Sequence, residues 1–197
     1  MRIGMCTSVD HLGAASDAGY DFAEMTITGA LFSEQDDAAF APIRKKISAS
    51  PIRIEAFNCL FPRKMKVTGP QVDLPAITQY LHRALNCVAE CGATIVVFES
   101  GGARRIPEDY PAERGWEQLA DVARLAGDIA GRHNITIVME GEDVAFNFKG
   151  FLNALNRSGY SGRLSIEYNP GLLRKKTPPL TDAYRAIRLF VQNAARN

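Results

Sequence analysis

Short apolar runs alternate along this chain with longer stretches whose apolar residues recur at helical spacing. The runs fall at residues 2–6, 22–27, 52–57, 94–98, 135–139 and 164–168. Each has the length of a buried strand, and the third alternates too little to be an edge strand. Helical patterns follow at 9–18, 35–48, 112–132, 149–158 and 181–194. The clearest helix lies between the third and fourth runs. Asp73 caps it, Pro75 sits in its first turn, and Ile77, Leu81, Leu85 and Val88 mark one face before Gly92 ends it. In the helix over 112–132, Trp116, Leu119, Ala123, Ala126 and Ala130 predict the apolar stripe. Strand followed by helix, repeated, predicts an α/β fold with parallel strands.

The count is six strand–helix units. A closed eight-stranded barrel needs about 250 residues and rarely closes near 200, while this chain has 197. The expectation is therefore a single domain over 1–197, built as a barrel-like (β/α) repeat but incomplete by about two units.

Composition narrows the partners. Lys and Arg number 23 against 22 Asp and Glu, a net charge of +1. No basic excess points to nucleic acid. No run approaches the roughly 18 apolar residues of a membrane helix. The opening MRIGMCTSVDHLG is too short in apolar residues for a signal peptide, so the expected compartment is the cytoplasm. Cys6, Cys59, Cys87 and Cys91 form no CxxC pair and read as reduced thiols. His11, His82 and His133 all fall in predicted helices or at their ends, which argues against a catalytic base.

In parallel α/β folds the chemistry lies at the carboxyl ends of the strands. The fifth run ends in Glu140 and the last in Glu167. Two carboxylates placed there can hold one divalent metal or exchange protons with a carbon beside a carbonyl. They can equally be surface groups capping strands. The fourth run ends in Glu99-Ser100-Gly101-Gly102-Ala103-Arg104, where glycine amides can approach an anion and an Arg can clamp a carboxylate or phosphate. A plain turn with solvated arginines fits the same residues. The third run ends in Asn58, suited to a substrate hydroxyl or to capping the loop. The second contains Glu24.

Taken in order, EAFNCLFP with KVTGPQVD, then VVFESGGARRIPEDYP, ITIVMEG and GYSGRLSIEYN resemble the xylose isomerase-like TIM barrel superfamily, in particular its sugar phosphate isomerases and epimerases. The resemblance runs over nearly all of the chain. It implies a divalent metal, commonly Mn²⁺ or Mg²⁺, held by Glu on strand five, Asp on six, His on seven and Glu on eight. Glu140 matches the first ligand and Glu167 the last, and in the epimerases those two also form the acid/base pair. The substrate implied is a small sugar or sugar phosphate, positioned here by Asn58, Ser100, Arg104 and Glu24. The Asp and His ligands have no counterpart, because only about one helix separates the two glutamates, with the junction near 141–148. Glu99 stands where relatives often carry a smaller residue, which would crowd the mouth.

Two functions follow. One is a metal-dependent isomerase or epimerase with Glu140 and Glu167 as ligands and acid/base groups. The other is an inactive, shortened relative that has lost its metal and serves as a binding or interaction module. A third, an endonuclease of the same superfamily acting on abasic DNA, needs several strand-end histidines and a basic surface. The missing units also predict open strand edges, which invite a homo-oligomer.

Overall fold

A computed structural model of the chain describes residues 2–30, 37–139, 163–166 and 180–194. In order the elements are β1 (Arg2–Cys6), a 3-10 turn (Val9–His11) running into α1 (Leu12–Asp17), β2 (Phe22–Thr26), α2 (Ile27–Ala30), α3 (Asp37–Ser48), β3 (Ile54–Asn58), α4 (Leu74–Glu90), β4 (Ile95–Phe98), α5 (Gly101–Arg104), α6 (Ala112–Gly131), β5 (Thr136–Met139), β6 (Arg163–Ile166) and α7 (Leu180–Ala194). The pairings β1–β2, β1–β6, β3–β4 and β4–β5 are all parallel. This is the alternation of an incomplete TIM-barrel-like fold, with six strands among the described residues against the eight of a closed barrel. The helix expected over 149–158 and the junction near 141–148 lie outside the described residues. No described helix is long and apolar enough to cross a membrane.

By its contacts the chain divides into two compact units. The first comprises residues 1–24, 49–53 and 142–197. Here β1 is the central strand, paired with β2 on one side and β6 on the other. Gly4 faces Phe22 in the β1–β2 register, and a Cβ at Gly4 would overlap the Phe22 ring. The ring is 1% exposed, with the Arg2 guanidinium 5.5 Å from its centroid. Asp21 ties the start of β1 down by accepting from the Ile3 amide at 2.7 Å. Helix α7 packs on α1. Tyr184 on α7 is fully buried, its hydroxyl sharing a 2.9 Å hydrogen bond with Thr7 and its carbonyl accepting from Tyr20 at 2.8 Å. Burial pushes the Tyr20 phenol well above its ordinary range, against the pull of the Arg188 guanidinium. Arg185 donates to the Asp17 carbonyl at 3.3 Å, placing a cation at the carboxyl end of α1, where the helix dipole favours one.

The second unit comprises residues 25–48 and 54–141, and in it β4 runs between β3 and β5. Helix α4 begins as the sequence predicts. The Asp73 carboxylate accepts from the Ala76 amide at 3.0 Å, and Gly92 (φ 78°) follows the last turn. Ile77, Leu81, Leu85 and Val88 are all fully buried. Helix α6 buries Leu119, Ala126 and Ala130 as expected and departs from expectation at Trp116. Its buried positions are Gly115, Leu119, Val122, Ala126, Ile129 and Ala130, while Trp116 is 63% exposed. The reason lies at Gly115, where a Cβ would meet Ile106 at 2.7 Å. The helix approaches its neighbour through a glycine, and Trp116, about 100° further round, turns away.

Cys87 and Cys91 lie one turn apart at the end of α4, and none of the four cysteines is in a disulfide. Burial pushes the Cys91 thiol up to about 12, with Cys87 and Glu90 adding to the effect and Arg44 opposing it. The fold thus favours the protonated thiol. The stability this contributes is complete below the ordinary thiol value of 9.0 and falls as pH rises from there towards 12. Urea unfolding at pH 8 and pH 10.5 should therefore show a larger loss for the wild type than for Cys91→Ser. Equal losses would remove Cys91 as the cause.

Candidate active site

The second unit brings its polar groups together at the carboxyl ends of β3 and β4. These strands are in register, Ala56 beside Ile95 and Phe57 beside Val96. Asn58 is the last residue of β3 and is 2% exposed. Ser100, just beyond β4, is 6% exposed and sits at φ 30°, a left-handed conformation that costs a non-glycine residue about 1–3 kcal/mol. Its carbonyl accepts from the amides of Ala103 (2.8 Å) and Arg104 (3.1 Å), closing the single turn α5. Its hydroxyl oxygen accepts from the Phe61 amide at 2.8 Å. Arg104 ends α5 and is half-buried.

The turn after β4 is closely packed. The Ala103 and Arg104 amides bond to Ser100. Gly102 makes room for a side chain: a Cβ there would meet Arg63 Cγ at 2.5 Å and Nε at 2.9 Å. Lys66 donates to the Gly102 carbonyl at 2.8 Å, and Thr68 donates to the Arg105 carbonyl at 3.0 Å. The loop after β3 is thereby strapped across the turn after β4. Phe61 seals it underneath, 5.0 Å from Phe98 and 5.8 Å from Tyr80 between ring centroids.

Cys59 and Glu99 belong to the same cluster. The Cys59 thiol donates to Glu99 Oε1 at 2.6 Å, and both residues are half-buried. Cys59 holds φ 50°, again left-handed for a non-glycine residue. No local pattern joins these two residues, which lie 40 positions apart. The strand-end rule picks out Glu99 along with Asn58 and Ser100, but it joins Cys59 to Glu99 only once β3 and β4 are known to be neighbours.

Of the other expected site residues, Glu24 lies in the first unit. It is 7% exposed on β2, in register with Cys6 on β1, and its carbonyl accepts from the Thr7 amide at 2.9 Å. Glu140 and Glu167 lie outside the described residues. The three histidines fall where expected: His11 closes the 3-10 turn, His82 is on α4 and His133 follows α6.

The sequence profile described as xylose isomerase-like TIM barrel matches residues 12–143. The chain belongs to this family. No curated protein matches it by sequence. Among solved structures it is similar to an L-ribulose 3-epimerase, with TM-score 0.72 and 13% identity over 99% of this chain and 94% of that one. It is similar also to a D-allulose 3-epimerase from Methylomonas sp., with TM-score 0.70 and 13% identity over 98% of each chain. A sugar phosphate isomerase/epimerase from Parabacteroides distasonis ATCC 8503 matches with TM-score 0.59 and 13% identity over 93% of this chain and 91% of the other. At this identity the likeness shows the fold.

The xylose isomerase-like resemblance implies a divalent metal. Among the described residues no three of His, Cys, Asp and Glu lie close enough together to hold one.

Proposed function

We propose that this protein is a sugar isomerase or epimerase, which moves a proton on a carbon beside a carbonyl. The observation that carries this reading is the gathering of Asn58, Ser100 and Arg104 at the carboxyl ends of β3 and β4, in a chain of the xylose isomerase-like family. The fold shared with two sugar 3-epimerases adds support. The substrate is a small sugar or sugar phosphate. Asn58 and Ser100 are of the type that orients hydroxyls, and Arg104 of the type that holds an oxyanion or phosphate. Glu24 is proposed as a further substrate contact. Glu140 and Glu167 are proposed as the acid/base carboxylates and as the ligands of Mn²⁺ or Mg²⁺. When bound, such an ion polarises the substrate oxygens. The proposed setting is cytoplasmic, and a second copy of the chain pairing at an open strand edge is the proposed assembly.

The alternative is an inactive relative that binds rather than turns over. It is favoured by the lack of any sequence counterpart to the family's Asp and His ligands.

Metal content after dialysis against trace Mn²⁺, with turnover of a ketose panel on the same preparation, separates the two. The expected result is near-stoichiometric metal that is lost in Glu140→Ala. Turnover should fall by about 10²–10⁴-fold in Glu167→Gln. Unchanged turnover in Glu167→Gln would remove that residue from the chemistry. Absence of both metal and turnover in the wild type would favour the binding module. Light scattering should find a dimer or larger, and a monomer at every concentration would remove the edge pairing.

A further inference from the structure

The strand ends of the second unit carry a pair that neither the family's ligand pattern nor the proposed carboxylates use. We infer that Glu99 is a proton-transfer group of this site and that Cys59 is its positioning residue. The inference rests on the isomerase/epimerase reading and adds to it a carboxylate that resemblance alone treated as an obstruction.

Three features carry it. Glu99 is the one carboxylate at the described carboxyl ends of β3, β4 and β5. In parallel α/β folds that is where substrates bind. It is half-buried, sheltered from bulk water yet open to a ligand. Its Oε1 accepts a 2.6 Å hydrogen bond from the Cys59 thiol, on a residue just beyond the neighbouring strand β3 whose backbone takes a left-handed turn at that point. A carboxylate pinned through one oxygen has lost its freedom to rotate, so its second oxygen keeps one orientation. Loss of that freedom ahead of reaction is what a positioned base requires.

The chemistry balances without a co-reactant. The C–H bond beside the substrate carbonyl breaks and its proton passes to the Glu99 carboxylate. The electron pair of that bond forms the C=C of an enediolate, and the carbonyl oxygen takes the negative charge. Arg63 and Lys66, both held against Gly102, supply positive potential on this side of the site. The hydroxyl proton on that carbon then passes to the former carbonyl oxygen, that carbon becomes the new carbonyl, and Glu99, now a carboxylic acid, returns its proton to the former carbonyl carbon and is restored. The thiol proton of Cys59 stays on sulfur throughout.

The test uses the full chain and two independent readouts. The first is alkylation of Cys59 by iodoacetamide at pH 8, followed by peptide mass spectrometry. The reacting species is the thiolate, and a carboxylate 2.6 Å away disfavours it. Glu99→Gln should therefore alkylate at Cys59 roughly tenfold faster than the wild type. Equal rates would overturn the pair, whatever the protein turns over. The second readout is turnover of the ketose found in the panel above, with circular dichroism to establish folding. Glu99→Gln should lose about 10²-fold or more in kcat. Cys59→Ala should lower kcat and displace the acidic limb of the pH–rate profile, and Cys59→Ser, which keeps a donor, should restore both. A folded Glu99→Gln with wild-type turnover overturns this assignment and leaves the isomerase reading standing. A wild type that turns over no sugar removes the reading and this role together, while alkylation still reports whether the thiol and carboxylate are joined.

Discussion

Gly4→Val is expected to destabilise the protein more than any single change on its surface. A Cβ at Gly4 would overlap the ring of Phe22, its register partner on β2. The ring is 1% exposed and cannot swing into water. The backbone cannot yield either, since β1 is bonded to a strand on each side. Overpacking of this kind costs about 1–3 kcal/mol for one methyl, and valine adds two more carbons. Against a typical total of about 5–15 kcal/mol, that is a large share. Urea unfolding followed by far-UV circular dichroism is the measurement to make. Trp116, the only tryptophan, is 63% exposed and would report unfolding poorly by fluorescence. The cause can be isolated with a second change. Phe22→Leu in a Gly4→Ala background should cost less than the two single changes summed, because the smaller side chain makes room. Strict additivity would show that the Gly4 effect does not pass through Phe22.

Tyr184→Ala is expected to loosen helix α7 from the first unit. The ring is fully buried and meets Tyr20 edge-on, with centroids 6.2 Å apart. Truncation to alanine should cost about 3–5 kcal/mol through lost contact and the cavity left behind. Tyr184→Phe keeps the ring and removes only the hydroxyl bonded to Thr7. Its cost should be about 1–2 kcal/mol, since the 8%-exposed Thr7 is left short of that partner. Thermal unfolding of the two variants side by side separates packing from hydrogen bonding. Equal losses would assign the stability to the hydroxyl rather than to the ring.

The two variants also show why sequence reading stopped where it did. Tyr184 and Thr7 are 177 positions apart, and Gly4 in an apolar run reads as a small residue in a strand. Neither carries a local signal. Only the parallel pairing of β1 and β2 reveals what Gly4 must make room for.

Local chemistry determined much in advance. The alternation of strand and helix, the six described strands and the capping of α4 by Asp73 all follow from periodicities and caps that act within one or two turns of chain. The position of Asn58 and Ser100 at strand ends follows from the same reading. Tertiary structure decided the rest. It turned Trp116 outward, because Gly115 brings α6 against Ile106. It packed the Arg63 side chain against Gly102, a contact that no local pattern announces. It set the thiol of Cys59 on the carboxylate of Glu99 and so made a candidate catalytic pair from residues that look unrelated. Periodicity specifies which face of an element is apolar. Which residues of two distant elements meet depends on register and close approach, and these exist only once the strands have paired.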